Sequence, residues 1–87
     1  SMSLGGPATE VLDLAVEAAI DMGLIVVAAS GNSDADACGT SPARVERVIS
    51  VNAADKNDAR ASFSNWGKCT NIFAPGVDIT STWIGSN

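Results

Sequence analysis

Residues 24–32 read Leu24-Ile25-Val26-Val27-Ala28-Ala29-Ser30-Gly31-Asn32. The first six are apolar without interruption and rich in β-branched side chains. The last three are small, polar and turn-prone. A short apolar run bounded by a turn signal predicts a strand over residues 24–29, buried on both faces. In open α/β sheets, ligands sit beyond the carboxyl ends of the strands. Asn32 therefore stands where chemistry is expected.

Upstream, the pattern predicts a helix over residues 8–22. Its acids, Glu10, Asp13, Glu17 and Asp21, are spaced 3, 4 and 4 and form one stripe. Val11, Leu12, Ala15, Val16, Ala18, Ala19 and Met22 take most of the remaining circumference, so the helix asks for burial on several sides. No base lies on the helix, and the acidic stripe is expected to be a solvated face. Gly23 is the expected stop. Gly5-Gly6-Pro7 breaks the chain before the helix, with proline suited to a first helical turn. Residues 1–4 alternate as the end of a strand would. Strand, helix and strand in this order form a right-handed crossover, so the strands are parallel.

Downstream, residues 30–43 predict a polar loop. Asp34-Ala35-Asp36 brings two acids without the other oxygens of a calcium loop, and a solvated loop is expected. Residues 48–53, Val-Ile-Ser-Val-Asn-Ala, predict a third strand, and residues 55–60 a charged turn. Phe63 and Trp66 anchor a loop, with Trp66 at the surface beside Gly67. Residues 71–74 predict a short strand halted by Pro75-Gly76, and residues 77–82 an alternating edge strand. Residues 83–87 form a tail without a cap. The fold class is α/β, with one helix against three or four mostly parallel strands. Such a sheet needs cover on both faces, and one helix covers one. The chain is therefore expected to be an incomplete domain.

Eighty-seven residues make one domain at most. A hydrophobic content of 46% and a mean hydropathy of +0.19 describe a globular chain. No apolar run approaches the roughly 18 residues of a membrane span, and Ser1-Met2-Ser3-Leu4 lacks the form of a signal peptide. Charge is uneven. Residues 1–43 carry six acids and no base, whereas residues 44–87 carry four acids and five bases. No basic patch is present, which argues against nucleic acid as a partner. There are two cysteines, Cys38 and Cys69, and no histidine. That set is too small for a zinc site. Two free thiols and one disulfide both remain open. A bridge would be worth ~3.5–4 kcal/mol by loop entropy and would imply an oxidising compartment. No Gly-x-Ser-x-Gly elbow occurs. Without histidine no Ser-His-Asp triad can be assembled from this chain. Taken alone, Asn32 also suits a left-handed turn.

Five motifs in register say more. Ser3-Leu4-Gly5-Gly6, Ala28-Ala29-Ser30-Gly31-Asn32, Ser41-Pro42-Ala43, Arg60-Ala61-Ser62-Phe63-Ser64-Asn65-x-Gly67 and Ile72-Phe73-Ala74-Pro75-Gly76 succeed one another across essentially the whole chain. Together they resemble the subtilisin-like serine proteases of peptidase family S8, and within them the proteinase K branch. The resemblance implies the central part of a three-layer catalytic domain with a mostly parallel sheet. It implies that Ser3, Leu4 and Gly5 pair with a bound peptide and form one wall of the pocket for the residue before the cut. Ala28, Ala29, Ser30 and Gly31 form the opposite wall. Asn32 donates its amide to the oxyanion of the tetrahedral intermediate.

The same resemblance puts the family's aspartate and histidine upstream of Ser1 and its nucleophilic serine beyond Asn87. It pairs Cys38 with Cys69 in a disulfide and favours a secreted, monomeric enzyme acting on peptides or proteins, with no nucleic-acid or membrane partner. It requires no cofactor for the chemistry. A structural calcium site in this branch would use the backbone carbonyls of Glu46 and Val48 together with position 71. Here Asn71 stands in place of a carboxylate. Asn52 stands where many members have glycine. The alternative function is a catalytically inactive peptide-binding module of the same shape. A third is a merely structural piece complete in 87 residues.

Overall fold

A computed structural model of the chain describes residues 1–82. The tail expected at residues 83–87 lies outside the described residues. In order, the elements are β1 (Gly6–Pro7), α1 (Glu10–Asp21), β2 (Val27–Ala29), a single 3-10 turn (Ala37–Gly39), β3 (Thr40–Ser41), β4 (Ile49–Ala54) and β5 (Ile72–Pro75). β2, β4 and β5 form a parallel sheet in the order β2-β4-β5. Met2 extends that sheet beyond β2 by a parallel bridge to Ala28. Its N–H donates to Val27 O at 2.8 Å, and its carbonyl accepts from Ala29 N–H at 3.0 Å. The expected parallel crossover from the N-terminal segment through α1 to β2 is present.

Several boundaries move. The strand expected over residues 24–29 joins the ladder only from Val27, because Leu24 and Ile25 carry the chain from the helix end to the sheet and stay exposed. The helix starts at Glu10 and not at residue 8, so Pro7 is not in its first turn. Instead β1 pairs antiparallel with β3, Gly6 with Ser41 and Pro7 with Thr40. The alternating residues 77–82 form no strand. Asp78 has φ +56°, a left-handed turn that breaks an extended chain.

α1 has no local cap at Thr9. Its N-terminus is satisfied from a distance. Ser41 Oγ accepts from Thr9 N–H at 2.9 Å and donates to Asp13 Oδ1 at 2.6 Å. At the other end Gly23, with φ +95°, donates to Ile20 O at 2.9 Å. This is the reversal that glycine allows without a steric penalty.

The acidic stripe is largely exposed, as the sequence suggests, but it is not without partners. Arg44 Nε reaches Asp13 Oδ2 at 2.5 Å, and Arg47 bridges Glu17 and Asp21. Those two hydrogen bonds, Glu17 first, raise the Arg47 pKa above its ordinary value. The bases come from the turn between β3 and β4, which no local reading of the helix could supply.

α1 buries a single narrow stripe. Val16 packs with Ala28, Val45 and Val48, and Leu12, Ile20, Val26 and Met2 close around them. Leu12, Val16 and Ile20 are spaced by four and share one face. The expectation of burial on several sides is not met among the described residues, since Val11 and Met22 are 80% and 83% exposed. On β4, Ser50, Asn52 and Ala54 are buried while Ile49 is exposed and Val51 and Ala53 are half-buried. One sheet face is covered and the other is open. No helix among the described residues is long and apolar enough to cross a membrane.

Cys38 and Cys69 are joined in a disulfide with Cα atoms 5.2 Å apart, which settles the alternatives left by spacing. It ties the loop after β2 to the segment before β5. The loop's acids are also used. Asp34 accepts from Arg60 at 3.0 Å and from Trp66 Nε1 at 3.2 Å, and Asp36 accepts from Cys38 N–H at 2.9 Å.

In isolation the 87-residue chain should melt without a sharp transition and bind a hydrophobic dye, because one sheet face lacks cover. A cooperative, high-temperature melt by circular dichroism would contradict this. In the full-length protein Cys38→Ser should lower Tm by the loss of up to ~4 kcal/mol, read by calorimetry; an unchanged Tm would show that the bridge contributes nothing.

Candidate functional site

β2 ends in small side chains and gives way to a tight loop. Ser30 N–H still pairs with Val51 O at 2.9 Å, so the ladder runs one residue past β2. Gly31 then turns with φ +115°. A Cβ there would lie 2.3 Å from Asn65 Nδ2, so glycine is required on two counts. Asn32 emerges exposed at the lip. Among the described residues its side-chain amide has no hydrogen-bond partner.

Ser3, Leu4 and Gly5 face this loop across a cleft of about 580 Å³. Ala29, Gly31 and Asn32 line the opposing side, with Thr40 and Asn65 behind them. The three N-terminal residues are exposed, and among the described residues their backbone groups make no hydrogen bond. That leaves a free extended edge of the kind to which a peptide strand can add. The structure brings most of the sequence-derived site residues to one cleft. Ala28 and Ser30 behave differently. They are 2% and 1% exposed and do not line the cleft. Ala28 packs in the core beneath α1, and Ser30 offers its carbonyl to Asn65 Nδ2 at 2.9 Å.

Asn65 is the site residue that sequence reasoning misses, since it enters only as one letter of a motif. It is 2% exposed. Its backbone N–H donates to Gly31 O at 2.9 Å. Its Oδ1 accepts from Ser33 N–H at 2.9 Å and Ala35 N–H at 3.1 Å. The usable signal is Gly31, whose missing side chain makes room for it.

Beside this cleft lies a second depression of about 530 Å³ over the open sheet face, lined by Val27, Val51, Ala53 and Phe63 among others. Asn52 also borders it. Among the described residues its Oδ1 is buried without a partner, as are the hydroxyls of Ser30 and Ser50. Nothing in the structure explains the asparagine at position 52.

Glu46, Val48 and Asn71 meet around a separate depression of about 350 Å³, together with Arg44 and Lys68. Asn71 Oδ1 accepts Ser50 N–H at 2.7 Å. The donors on offer are backbone carbonyls, one amide oxygen already in use and the exposed Glu46 carboxylate, next to two bases. This is a poor fit to a hard divalent cation that takes six to eight oxygens with substantial negative charge.

The whole of residues 1–87 matches the family model described as Subtilase family, peptidase S8. The subtilisin-like proteinase Spm1 of Pyricularia oryzae is 57% identical over 86 residues, which cover 99% of this chain and 16% of that protein. Cerevisin of Saccharomyces cerevisiae is 53% identical over 87 residues, 100% of this chain and 14% of that protein. A crystal structure of a cold-adapted subtilisin-like serine proteinase superposes with a TM-score of 0.92 at 52% identity. The match covers 94% of this chain and 30% of that one. The chain thus spans less than a fifth of the length of these two relatives. With the parallel sheet, the small-residue turn after β2 and the fold match in agreement, the chain belongs to the subtilase family.

Proposed function

We propose that residues 1–87 form the central part of the catalytic domain of a secreted serine endopeptidase, where they build the substrate cleft and carry one oxyanion donor. The observation that carries this reading is the cleft between Ser3–Leu4–Gly5 and Ala29–Gly31–Asn32, with the exposed Asn32 amide at its lip. A peptide lying along residues 3–5 would pair through its backbone. Its side chain before the cut would enter the space that Ala29 and Gly31 leave open.

Asn32 suits the proposed role by chemistry. Acyl transfer develops negative charge on the carbonyl oxygen as a serine attacks. A neutral N–H donor stabilises that charge without exchanging a proton. In the family mechanism a serine contributed by the rest of the protein attacks, and Asn32 with a backbone N–H holds the oxyanion. Water then releases the acyl group. This chain's own part is to bind and orient the peptide and to meet the developing charge. The disulfide supports an oxidising compartment and hence secretion. A non-cleaving peptide-binding module would use the same cleft, and differs only in residues outside this chain.

Calcium has no part in the proposed chemistry. The donor set at Glu46, Val48 and Asn71 favours a protein in which that depression stays free of calcium.

Two measurements on the full-length protein test the reading. Asn32→Leu should lower kcat by roughly 100- to 1000-fold with KM nearly unchanged, the magnitude known from the corresponding asparagine of subtilisin itself. An effect confined to KM would remove Asn32 from the oxyanion site. Asn71→Asp adds the missing charge and should add a calcium-dependent rise in Tm that the unsubstituted protein lacks at this position. Equal calcium responses of the two proteins in calorimetry would contradict the account of the depression.

A further inference from the structure

The loop that carries Asn32 is held around that residue by one buried side chain, and farther along by backbone bonds from Asp34 N–H to Phe63 O at 3.0 Å and from Trp66 N–H to Ala35 O at 3.1 Å. Asn65 presents two donor hydrogens and two acceptor lone pairs, and all four are used. Oδ1 accepts from Ser33 and Ala35 N–H at 2.9 and 3.1 Å. Nδ2 donates to Ser30 O at 2.9 Å and to Thr40 Oγ1 at 3.3 Å. The Asn65 backbone N–H adds a bond to Gly31 O at 2.9 Å. These contacts fall on both sides of Asn32: residues 30 and 31 before it, residues 33 and 35 after it. Asn32 alone in residues 30–33 is left without a bond to Asn65, and it is exposed at the cleft.

Asn65 is itself fixed to the sheet. Ser64 Oγ accepts from Ala53 N–H of β4 at 3.0 Å and donates to Asn65 O at 2.9 Å. Arg60 donates to Ser64 O at 2.7 Å. A continuous set of bonds therefore runs from β4 through Ser64 and Asn65 to the loop. Gly31 completes the fit, since any side chain there would meet Asn65.

We infer that Asn65 is a positioning residue for the oxyanion donor: it sets the height and direction of the Asn32 amide relative to the cleft. The inference rests on the oxyanion role proposed for Asn32. Its physical content is that an electrostatic donor works in proportion to how well it is held before the charge appears. A misplacement of about 1 Å is enough to cost about 100-fold in rate. Asn65 makes no hydrogen bond to Ser3, Leu4 or Gly5, where the peptide backbone would pair, so the larger part of the loss belongs in kcat.

The test is a double-mutant cycle in the full-length protein with a small chromogenic peptide substrate. Asn65→Asp keeps both acceptors toward Ser33 and Ala35 but loses both donors, and places an oxygen against Ser30 O. Asn65→Ser is the milder second variant should the first fail to fold. Either should lower kcat by about 10- to 100-fold with KM within about threefold. In an Asn32→Leu background the same substitution should cost less than about threefold, because the donor being positioned is gone. An equal loss in both backgrounds, or a change confined to KM, overturns the inference while leaving the oxyanion role of Asn32 intact. A native kcat for Asn32→Leu alone overturns that role and this inference with it.

Discussion

β2 gives way to its loop at a buried residue, Ser30, and buried N–H and C=O groups must still be paired where the sheet stops. Everything at the cleft depends on how this is met. Ser30 is 1% exposed, and its N–H finds Val51 O. Beyond it no strand among the described residues continues the ladder, although single backbone bonds from Asp34 N–H to Phe63 O and from Trp66 N–H to Ala35 O reach the loop farther on. The side-chain amide of Asn65 stands in for one, taking two N–H groups and one carbonyl of the loop. A side chain that mimics a peptide unit can do this in either direction, because it offers both an acceptor and a donor from one planar group. The loop is thus irregular in outline yet held at both ends by hydrogen bonds, which is the condition for a functional loop on a rigid support.

Charge performs a different task. The acid-only half of the chain and the base-bearing half meet along α1, where Asp13 engages Arg44 and Ser41, and Glu17 and Asp21 engage Arg47. Exposed pairs of this kind contribute little to stability. Asp13 is the exception by position, with its side chain only 16% exposed and bonded to both a cation and a hydroxyl. What the pairs decide is alignment. They set the helix over the turn that leads into β4, and the same turn supplies Val45 and Val48 to the core. One short segment therefore both neutralises and packs against the helix.

Much of this is legible in the residues and some is not, for identifiable reasons. The apolar run ending in Ser30-Gly31-Asn32 announces a strand with a candidate site at its end, because apolar runs and turn chemistry are local signals; its burial on both faces is not met, since among the described residues only Ala28 of β2 is buried. The helix is legible from its period. Its cap is not, because Ser41 lies 32 positions from Thr9 and Thr9 itself makes no cap bond. The fate of the acidic stripe is hidden for the same reason. Residues 77–82 mislead because alternation alone does not supply a neighbouring strand, and Asp78 turns the chain away. Gly6 and Pro7 read as a break and are paired, because their partners Ser41 and Thr40 come from the far side of the loop. Asn65 looks ordinary, since asparagine in a turn is common; only its burial marks it.

The end of β2 also shows what a cleft requires of a core. Ala29 and Gly31 keep the space beside Asn32 open, but each withholds apolar surface that a valine or leucine would bury at about 0.8 kcal/mol per methylene. Ala28 is fully inside and yet contributes only a methyl group to the cluster around Val16. β2 must therefore be secured by means other than bulk. It is hydrogen-bonded on both edges, to Met2 on one side and to β4 on the other. Past its last residue it is continued by Asn65. Hydrogen bonds are directional where apolar packing is not, and direction is what an oxyanion donor needs. The small residues that keep the cleft open thus shift the support of the loop from packing to hydrogen bonds of defined geometry.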